Sequence, residues 1–524
     1  MGGLRRIAAV VGTGAVLLAA GCGDGPPADQ TRPDAVDTST PVPWRADGAL
    51  DRVARSQEAA AEAAWRRAEL AALEDVHTVR AALRRAMLSG AISRARLRRH
   101  RAAYDGARRA ARVLTGARAA EERAVLGSVD ALAAADRLVP SRFPAVFLNL
   151  RRNTRTWTQA PFPATGERRM FGRHPAVFQY VPGRGMQLHP LATWGKVNAR
   201  LRGCLHTRCA ERPLRRRVDA LARLGARRGG FVAWEYYYAY AQGTPPWMSG
   251  MAQATAVQAL SRAARAFRAR RYARIARRAL GAFDAAPPTG VAVPSDGGRR
   301  YVMYSFAPTL RILNGELQAV NGLRDAAVLG RSPRAARLVR AGDRAARAAL
   351  GGFDTGAWSL YSAAGGESTL AYHELTTTFL GDLCRRTRRA EYCRAERRFA
   401  RYVREPPRIG IAPLQGLWAQ RSTPLRFTLS KGSAVRVRVV GPRGVVLARD
   451  LQLGRGGHEL AWTPPSRGRF SVHVDARGPE GRLGRSDRTV RVVLPKPKPK
   501  PKPKRPRPPE RQGAAGDEQR GGLG

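Results

Sequence analysis

The apolar positions of this chain follow different periods in different parts, and these changes divide it into a helical beginning, a mixed middle and a strand-rich end. Over residues 48–138, Ala and Leu recur at helical spacing with almost no Gly or Pro between them. Apolar residues three and four positions apart predict amphipathic helices, here at 55–87, 92–116 and 118–138. We interpret 48–138 as a helical segment without chemistry of its own.

Residues 140–407 alternate helical stretches with loops that are rich in Gly, Pro and aromatic side chains. The clearest helices are predicted at 248–267, 271–283, 314–330 and 332–353. Such a rhythm is typical of paired helices that pack into an α/α toroid, whose loops at one end carry function. The sequence therefore predicts a mainly α fold with an α/α toroid over 140–407.

Residues 412–494 change to alternating apolar and polar positions, broken by Gly and Pro. A period of two predicts strands, and several short strands with turns between them predict an Ig-like β-sandwich. Residues 23–47 and 495–524 have too few apolar side chains to form a core, so we expect both to be disordered. Residues 495–524 begin with a Lys-Pro repeat that favours an extended conformation. This repeat either binds an anionic polymer or acts as a spacer.

The first 22 residues are typical of an exported lipoprotein. Arg5 and Arg6 precede an apolar run, Ile7–Ala20, that has the length of a signal peptide and is too short for a permanent transmembrane helix. The run continues into Gly21 and Cys22 and resembles the lipobox of bacterial lipoproteins, which makes Cys22 the lipidation site. An ordinary secretory signal is the alternative. Either signal exports the protein, and the lipobox also predicts a lipid anchor in the cell membrane.

The charge of the chain indicates an anionic partner. Its 93 Lys and Arg residues exceed its 40 Asp and Glu residues, for a formal net charge of +53. Most of these cations are arginines, which reflects compositional bias first and binding second. A surface this positive still attracts polyanions. We expect no nucleic acid partner, because the chain has no recognisable nucleic-acid-binding motif and carries an export signal.

The cysteines agree with an oxidising compartment. Apart from Cys22, the chain has four, which form two local pairs, Cys204–Cys209 and Cys384–Cys393. Disulfides across short loops are common in exported proteins. A zinc site is the alternative, but these spacings are wider than those of zinc knuckles, and we expect no metal.

Four segments combine aromatic, amide and basic side chains in a pattern that suits a carbohydrate site: 178–198, 231–253, 301–325 and 359–380. Aromatic faces stack on pyranose rings, while amides and guanidinium groups bind hydroxyls and carboxylates. The last segment places Tyr361 before a Gly-rich turn and the pair Tyr372–His373 after it. We therefore interpret 359–380 as the wall of a site.

Motifs within these segments resemble the C-terminal catalytic domain of the D-glucuronyl C5-epimerases. The motifs are ILNGELQAVNGLRD at 312–325, FDTGAWSLY at 353–361, YHELTTTFL at 372–380 and WMSGMAQATAVQAL at 247–260. They occur in the order found in that family, and the likeness extends over roughly residues 178–400, which is under half of the chain. The family has the α/α toroid fold that the helix rhythm also predicts.

The resemblance implies an enzyme that inverts carbon 5 of a uronic acid within an anionic polysaccharide, without a cofactor. The catalytic tyrosines of the family fall on Tyr304, Tyr361 and Tyr372. Epimerisation needs a base that removes the C5 proton and an acid that returns one. A phenol with its usual pKa of about 10 is a weak base at neutral pH, but nearby guanidinium groups can lower that pKa. The family also tends to form dimers, so a homodimer is expected.

The resemblance and the aromatic segments together give eight candidate substrate-binding residues: Tyr180, Arg184, Glu235, Tyr236, Arg311, Asn314, Arg324 and His373. The three arginines are candidates for binding the substrate carboxylate or for lowering a phenol pKa. The asparagine is most simply a helix cap, with ligand contact secondary.

Two positions depart from the family pattern. The family has an acidic residue before the first tyrosine, where this chain has Met303, and an arginine shortly after Tyr361, where this chain continues with Ser-Ala-Ala-Gly-Gly. Either Glu235 or Glu316 replaces the missing carboxylate, or the tyrosines act alone. Two alternatives therefore stay open: a polysaccharide lyase that starts with the same proton abstraction, and a non-catalytic envelope protein that binds polysaccharide.

Overall fold

The structure is a computed structural model that describes residues 66–205, 210–415 and 417–494. These residues divide into two compact units, the first of which extends to Pro407 and the second of which contains most of the strands after it. The predicted signal peptide, its lipidated Cys22, the linker and the Lys-Pro tail lie outside the described residues.

The first unit begins with helices that the apolar spacing predicts: α1 (Val79–Leu88), α2 (Arg94–Val113) and α3 (Gly116–Ala134). The continuous helix expected over 55–87 is wrong within its described part. Residues 66–72 are helical, but the chain then turns before α1. Thr78 Oγ1 accepts a hydrogen bond from the Ala81 N–H, and a threonine cap of this kind starts a new helix.

The part of the first unit between α3 and residue 248 mixes helices with short strands. In chain order, its elements are α4 (Phe143–Gln159), β1 (Arg168–Met170), β2 (Val177–Val181), β3 (Gly185–Leu188), α5 (Pro190–Gly203), α6 (Glu211–Ala222), β4 (Ala226–Arg228), β5 (Phe231–Ala233), β6 (Glu235–Tyr236) and β7 (Trp247–Met248). Strands β1 to β3 form one antiparallel sheet, and β4–β5 and β6–β7 form two hairpins.

The remaining elements of the first unit are α7 (Gly250–Ala266), α8 (Arg270–Ala279), β8 (Ala292–Ser295), β9 (Gly298–Tyr301), α9 (Leu313–Val328), α10 (Pro333–Ala349), α11 (Leu370–Thr387) and α12 (Ala390–Tyr402). The four helices predicted between 248 and 353 are confirmed as α7 to α10. Two of them, α8 and α10, end in a single 3₁₀ turn, Leu280–Phe283 and Leu350–Phe353.

Helix α7 lies at the centre of the first unit, packed between α5 and α9. Every side chain of α7 from Met251 to Ala263 is buried, which explains why its sequence is apolar or small almost all round. The crossing with α9 is close at Gly322, where a Cβ atom would lie 2.4 Å from the Ala254 carbonyl oxygen. Glycine at this position is therefore a packing requirement.

The expected fold class, mainly α with an α/α toroid and an Ig-like β-sandwich, is wrong. The structure is 47% helix and 23% strand and includes a curled half-barrel sheet. The helix rhythm is real, but the Gly-, Pro- and aromatic-rich stretches between helices form the strands β1 to β9. Their strands are two to five residues long, too short for a period-two pattern to stand out from a loop.

The second unit is built from β10 (Ile409–Ile411), β11 (Leu417–Trp418), β12 (Thr423–Leu429), β13 (Ser433–Gly441), β14 (Gly444–Leu453), β15 (Gly456–Trp462), β16 (Gly468–Arg477) and β17 (Leu483–Val493). They lie in a three-stranded sheet, in the order β10-β12-β15, and a five-stranded sheet, in the order β11-β17-β16-β13-β14. The core is formed by alternate residues such as Val435, Val437 and Val439 on β13.

The structure bears on part of what the sequence predicts about disulfides, the membrane and metal binding. A disulfide joins Cys384 on α11 to Cys393 on α12, as predicted, whereas the pair Cys204–Cys209 involves a residue outside the described ranges. No helix in 66–205, 210–415 or 417–494 has the length and apolar character needed to cross a membrane. Those residues also contain no group of three or more His, Cys, Asp or Glu side chains placed to hold a metal ion.

Candidate active site

Four tyrosines from separate segments of the first unit meet in one buried aromatic cluster. Tyr240 lies in the turn after β6, Tyr304 lies between β9 and α9, Tyr361 lies in the loop before α11, and Tyr372 lies in the first turn of α11. We call these four residues the tyrosine cluster. The structure thus brings together all three tyrosines that the sequence marks as catalytic and adds a fourth.

The rings of the tyrosine cluster are in contact, and most of the hydroxyls are enclosed. The ring centroids of Tyr361 and Tyr372 lie 4.7 Å apart, and those of Tyr240 and Tyr304 lie 5.6 Å apart. The hydroxyls of Tyr240, Tyr304 and Tyr361 are buried and make no hydrogen bond of normal geometry within the described part of the chain. Several reactive oxygens are therefore enclosed together without being committed to structural bonds.

Local backbone bonds place Tyr361 and Tyr372 against each other. The Tyr361 N–H donates to the Gly366 carbonyl at 3.0 Å, which closes the Gly-rich turn. The Thr369 hydroxyl then caps α11 by accepting a hydrogen bond from the Tyr372 N–H at 3.4 Å. The turn and the cap fold the chain back on itself, so the two rings pack against each other with their planes tilted by 55°.

An aromatic wall surrounds the tyrosine cluster on one side. Tyr236 stacks on Trp247 with ring centroids 4.1 Å apart and planes 4° from parallel. The Trp247 indole donates to the Tyr238 carbonyl at 2.8 Å, and Phe306 stacks on Tyr304 at 5.4 Å. Tyr240 and Phe306 are half-buried. They mark the outer side of the cluster, and flat aromatic faces of this kind suit contact with a sugar ring.

Burial raises the pKa of every phenol in the tyrosine cluster, because a phenolate in an apolar site loses its hydration. The neighbouring hydroxyls then act differently on Tyr361 and Tyr372. The Tyr304 and Tyr372 hydroxyls oppose the rise in the pKa of Tyr361, since each is near enough to donate to its phenolate. Tyr361, in contrast, raises the pKa of Tyr372 further, after burial. Of the pair, Tyr361 is therefore the more easily ionised and Tyr372 the more firmly protonated.

Arg168 is a cation whose charge acts on the tyrosine cluster, although sequence reasoning did not select it. It lies on β1, and its Nε donates to the Gln179 side chain on β2 at 2.8 Å. Its charge opposes the burial-driven rise in the pKa of Tyr372 and of Tyr236. It also adds to burial in lowering the pKa of His189 to about 3. Arginines occur throughout this chain, so only the fold distinguishes this one.

His373 adjoins Tyr372 in sequence but serves the packing of α11. Its ring stacks on Trp358 with centroids 3.9 Å apart. Nε2 lies 2.9 Å from the Phe399 carbonyl, which can only accept, so Nε2 carries the proton and Nδ1 accepts from the Ser359 hydroxyl at 2.8 Å. Burial lowers the pKa of His373 to about 4. The structure thus places this candidate as a neutral, fully bonded residue.

Glu235 and Tyr180 are likewise committed to structural bonds. Both oxygens of Glu235 bond to Arg142, at 2.7 and 3.0 Å, and Arg228 adds a third bond at 2.8 Å. The Tyr180 hydroxyl donates to Glu121 at 2.8 Å, and the same carboxylate accepts backbone N–H bonds from the β2–β3 turn. Neither side chain belongs to the tyrosine cluster, whereas Tyr236 lies in its aromatic wall.

The remaining candidates are the three arginines, and they differ in how near they lie to the tyrosine cluster. Exposed Arg184 donates to the Ala239 carbonyl at 3.2 Å, directly before Tyr240. Arg311 lies beside the Tyr361 loop, since its carbonyl accepts from the Ala363 N–H at 3.2 Å. Arg324 is three turns along α9 from its start, beside a carbonyl of α11.

The first turn of α9 holds further buried polar atoms. Asn314 and Glu316 are 2% and 3% exposed, and the Asn314 Oδ1 and both Glu316 carboxylate oxygens make no hydrogen bond within the described residues. Glu316 faces Arg311 across 3.6 Å. Burial raises the pKa of Glu316, against the charge of that arginine. Glu316 is thus a buried carboxyl beside a half-buried cation.

Met303 occupies the position where the sequence comparison leads us to expect an acid. Its sulfur accepts a hydrogen bond from the Ser249 hydroxyl at 3.4 Å. Its methyl group packs over Gly315, where a Cβ atom would lie 2.9 Å from it. The side chain next to Tyr304 is therefore apolar and firmly packed, and it supplies no base.

A separate depression of about 510 Å³ is lined with cations. It lies between the β4–β5 hairpin and α8 and includes the exposed Arg277, Arg278 and Arg334. Asp284 pairs with the last of these at 2.6 Å, which leaves an excess of positive charge. None of the four tyrosines lines it, so it is a surface feature distinct from the tyrosine cluster.

Sequence reasoning missed Tyr240, Tyr238, Trp247, His189 and Arg168 as neighbours of the site. Tyr240 and Trp247 do stand in the aromatic-rich segment 231–253, which is a usable signal. The segment contains so many aromatic residues, however, that only the tight turn of the fold shows which of them face Tyr304.

Comparison with known protein families gives one match. Residues 228–401 match the model of the D-glucuronyl C5-epimerase C-terminus. A comparison with curated proteins found no match. The matched range contains the whole tyrosine cluster, and it supports a uronic acid epimerase type of function, that of an isomerase acting on carbohydrates. The match over residues 228–401 supports the D-glucuronyl C5-epimerase family for this part of the chain.

Proposed function

We propose that the tyrosine cluster catalyses C5 epimerisation of a uronic acid residue within an anionic polysaccharide. The observation that carries this proposal is the contact between Tyr361 and Tyr372, whose rings lie 4.7 Å apart in a buried site next to Tyr304. The reaction needs one group that takes a proton and another that gives one. The opposite effects that Tyr372 and Tyr361 have on each other's pKa favour one of each.

Tyr361 is the proposed base. In the proposed mechanism its phenolate accepts hydrogen bonds from Tyr304 and Tyr372, whose hydroxyls oppose the effect of burial on its pKa. The C5 proton lies alpha to the substrate carboxylate, so its transfer to the Tyr361 oxygen leaves an enediolate-like intermediate. A phenol O–H of Tyr304 or Tyr372 then gives its proton to C5 from the opposite face. One proton is taken and one is returned, so the chain ends with the same number of protons.

Positive charge around the site supports a carboxylate-bearing substrate. The intermediate carries an extra negative charge on the uronate carboxylate, and a guanidinium group placed nearby stabilises it. Arg168 acts electrostatically on Tyr372, and Arg184 and Arg311 flank the loops that carry Tyr240 and Tyr361. The cationic depression at Arg277, Arg278 and Arg334 gives a polyanion a further surface to contact.

The test is to incubate the purified protein with heparosan and other uronate polymers in deuterated water and to examine C5 by NMR. Deuterium at C5 with an inverted centre and an intact chain is the expected result. New unsaturated chain ends would mean a lyase instead. Retained polymer binding without deuterium uptake would mean a binding protein.

Matched variants sharpen this test. Tyr361→Phe and Tyr372→Phe each remove one hydroxyl from the cluster and are expected to abolish most deuterium uptake. Tyr392→Phe is the control, because its buried hydroxyl bonds to Asp343 at 3.0 Å in a separate part of the unit. Equal uptake by all three variants would refute the assignment of the cluster.

We also propose that the protein is exported and anchored to the bacterial cell membrane through Cys22. Support comes from the signal-like residues 1–22 and from the Cys384–Cys393 disulfide, which suits an oxidising compartment. Fractionation of cells that express the wild type or Cys22→Ser tests this, together with mass spectrometry of the mature N-terminus. A lipidated cysteine and a membrane fraction lost on substitution are expected. An unprocessed, unlipidated chain in the cytosol would contradict the proposal.

A further inference from the structure

Tyr240 is held by a tight turn at the outer side of the tyrosine cluster. Its backbone exchanges hydrogen bonds with Gly243, at 3.1 and 2.8 Å, and Ala241 between them has a φ of +49°. Gly243 lies directly against Phe306, where a Cβ atom would come within 2.3 Å of the ring. The turn therefore has no room for a side chain at that point and sits at a fixed place on the cluster.

The ring of Tyr240 reaches inward from this turn. Its centroid lies 5.6 Å from that of Tyr304, 5.9 Å from that of Trp247 and 6.3 Å from that of Phe306. Although the residue is half-buried, its hydroxyl oxygen is enclosed and makes no hydrogen bond of normal geometry within the described residues. A buried hydroxyl that no structural bond uses is costly unless it serves another purpose.

The surroundings of Tyr304 indicate what that purpose is. Met303 beside it is apolar, and the groups whose charges act on Tyr304, after burial, are the tyrosines 361, 240, 372 and 238. Its enclosed hydroxyl makes no hydrogen bond of normal geometry within the described residues, and the two hydroxyls near enough to accept from it are those of Tyr361 and Tyr240, the latter on a ring whose centroid lies 5.6 Å away. Because Tyr361 is the proposed base, Tyr240 is the second group to which Tyr304 can bond.

We propose that Tyr240 is a positioning residue that holds the Tyr304 hydroxyl by a phenol-to-phenol hydrogen bond and stabilises Tyr304 after it has given up its proton. This inference rests on the proposed function, in which Tyr304 is one of the two proton-returning groups. Before transfer, the Tyr304 O–H donates to the Tyr240 oxygen. After the Tyr304 proton has moved to C5, the Tyr240 O–H rotates and donates to the Tyr304 phenolate, so no proton leaves Tyr240.

A spectroscopic titration tests the bond without requiring turnover. A fluorinated tyrosine, whose phenol ionises nearer to neutral pH, is incorporated at position 304 in the full-length protein, and its titration is followed by ¹⁹F NMR. Tyr240→Phe removes one donor to the phenolate, so the titration should move to higher pH by about one unit, the size expected for a hydrogen bond to a charged group. An unchanged midpoint would overturn the proposal.

The control is Tyr301→Phe. Tyr301 is also buried, and its hydroxyl donates to the Leu338 carbonyl at 2.7 Å, away from the tyrosine cluster. This variant should leave the titration at position 304 unchanged, whereas an equal shift in both variants would show a general loosening of the fold and refute the specific bond. Melting temperatures are measured for each variant. Tyr240→Met, which also lacks a hydroxyl, repeats the titration if the Phe variant is unstable.

Kinetics on an active polymer give the second readout. Tyr240→Phe is expected to lower kcat about tenfold and to leave KM within about twofold, because the lost bond acts on a charge that forms only during reaction. Tyr301→Phe should retain wild-type kcat. If the wild type turns over no polymer but the titration shifts, the proposed function fails and the hydrogen bond stands. If the titration does not shift, the bond is refuted whether or not the enzyme is active.

Discussion

The rings of Tyr361 and Tyr372 lie in one buried cluster with their centroids 4.7 Å apart. The Tyr372 hydroxyl opposes the burial-driven rise in the pKa of Tyr361, whereas Tyr361 raises the pKa of Tyr372 further. In the proposed reaction, this asymmetry supplies a proton acceptor and a proton donor from phenols alone, next to Met303 rather than a carboxylate.

The first prediction concerns the pH dependence of turnover. The pKa of Tyr361 is raised by burial, so its phenolate is scarce at neutral pH and increases as pH rises. We expect kcat to rise about tenfold per pH unit on the alkaline side of neutrality, up to the pH at which the protein unfolds. Initial rates of C5 deuterium exchange from pH 7 upwards measure this. A rate that already levels off below neutral pH would point instead to a carboxyl base such as Glu316.

The second prediction follows from the donor role of Tyr372. Tyr372→Phe removes one of the two hydroxyls that oppose the rise in the pKa of Tyr361, so that pKa should rise further and the rate profile should move to higher pH. At a fixed pH we expect at least a tenfold lower kcat. Tyr392→Phe, which loses a buried hydroxyl outside the cluster, should keep the wild-type profile. A profile of unchanged position in Tyr372→Phe would argue against the bond.

The structure shows why the contact between Tyr361 and Tyr372 was easier to predict than the fold. The motif around Tyr361 and Tyr372 is local: a Gly-rich turn and a Thr369 cap fix both rings within one short stretch. The fold class instead depended on strands such as β6, Glu235–Tyr236, which are two residues long and look like loop in a sequence. Short hairpins of this kind form because the helices around them supply the packing. Their own sequence therefore has no alternation of apolar and polar residues that would predict a strand.

For the polar candidate residues, the sequence predicted a position near the site better than it predicted what each side chain does there. Glu235 and His373 are both next to site residues in the sequence, yet both make their hydrogen bonds with residues distant in the chain. Glu235 bonds to Arg142, and His373 bonds to Phe399 and Ser359. Whether a buried polar side chain is free for chemistry depends on such distant partners. A single sequence contains these partner residues but does not show which of them will be in contact.

The third prediction is a loss of stability in acid. Burial lowers the pKa of His100 and His373 to about 4 and that of His189 to about 3. Unfolded histidine ionises near pH 6.5, so between about pH 6.5 and 4 the unfolded chain binds more protons, and the free energy of unfolding falls as the pH falls. We expect Tm to decrease steadily from pH 7 to pH 4.5.

His100→Phe tests that prediction at one residue. His100 packs against Phe147 with ring centroids 4.5 Å apart, so a phenyl ring can replace it. The variant should lose less stability than the wild type between pH 7 and pH 4.5, by up to about 3 kcal/mol. Parallel curves for His100→Phe and the wild type would show that His100 does not contribute.

The fourth prediction separates a structural from a catalytic role for Glu235. Its carboxylate is fully enclosed between Arg142 and Arg228. Glu235→Gln leaves two buried guanidinium groups without a counter-charge, and the expected loss is about 3–5 kcal/mol in the free energy of unfolding. Urea denaturation measures it. Asp450→Asn, which breaks an exposed pair with Arg436, is the control and should leave stability unchanged. A stable but inactive Glu235→Gln would instead favour direct participation in catalysis.

The fifth prediction concerns the helix crossing that holds the site together. Helix α9 follows Tyr304 in the chain, and Ser249 at the start of α7 donates a hydrogen bond to the sulfur of Met303, next to Tyr304. The distance between α7 and α9 therefore affects the position of Tyr304 in the tyrosine cluster. Gly322→Ala puts a methyl group 2.4 Å from the Ala254 carbonyl, and the helices must separate to admit it. We expect a loss of about 1–3 kcal/mol in the free energy of unfolding, together with weaker catalysis. Gly195→Ala in α5 meets open space, so it should stabilise the protein slightly by helix propensity. If both substitutions stabilise the protein, the crossing is looser than the packing at Gly322 indicates.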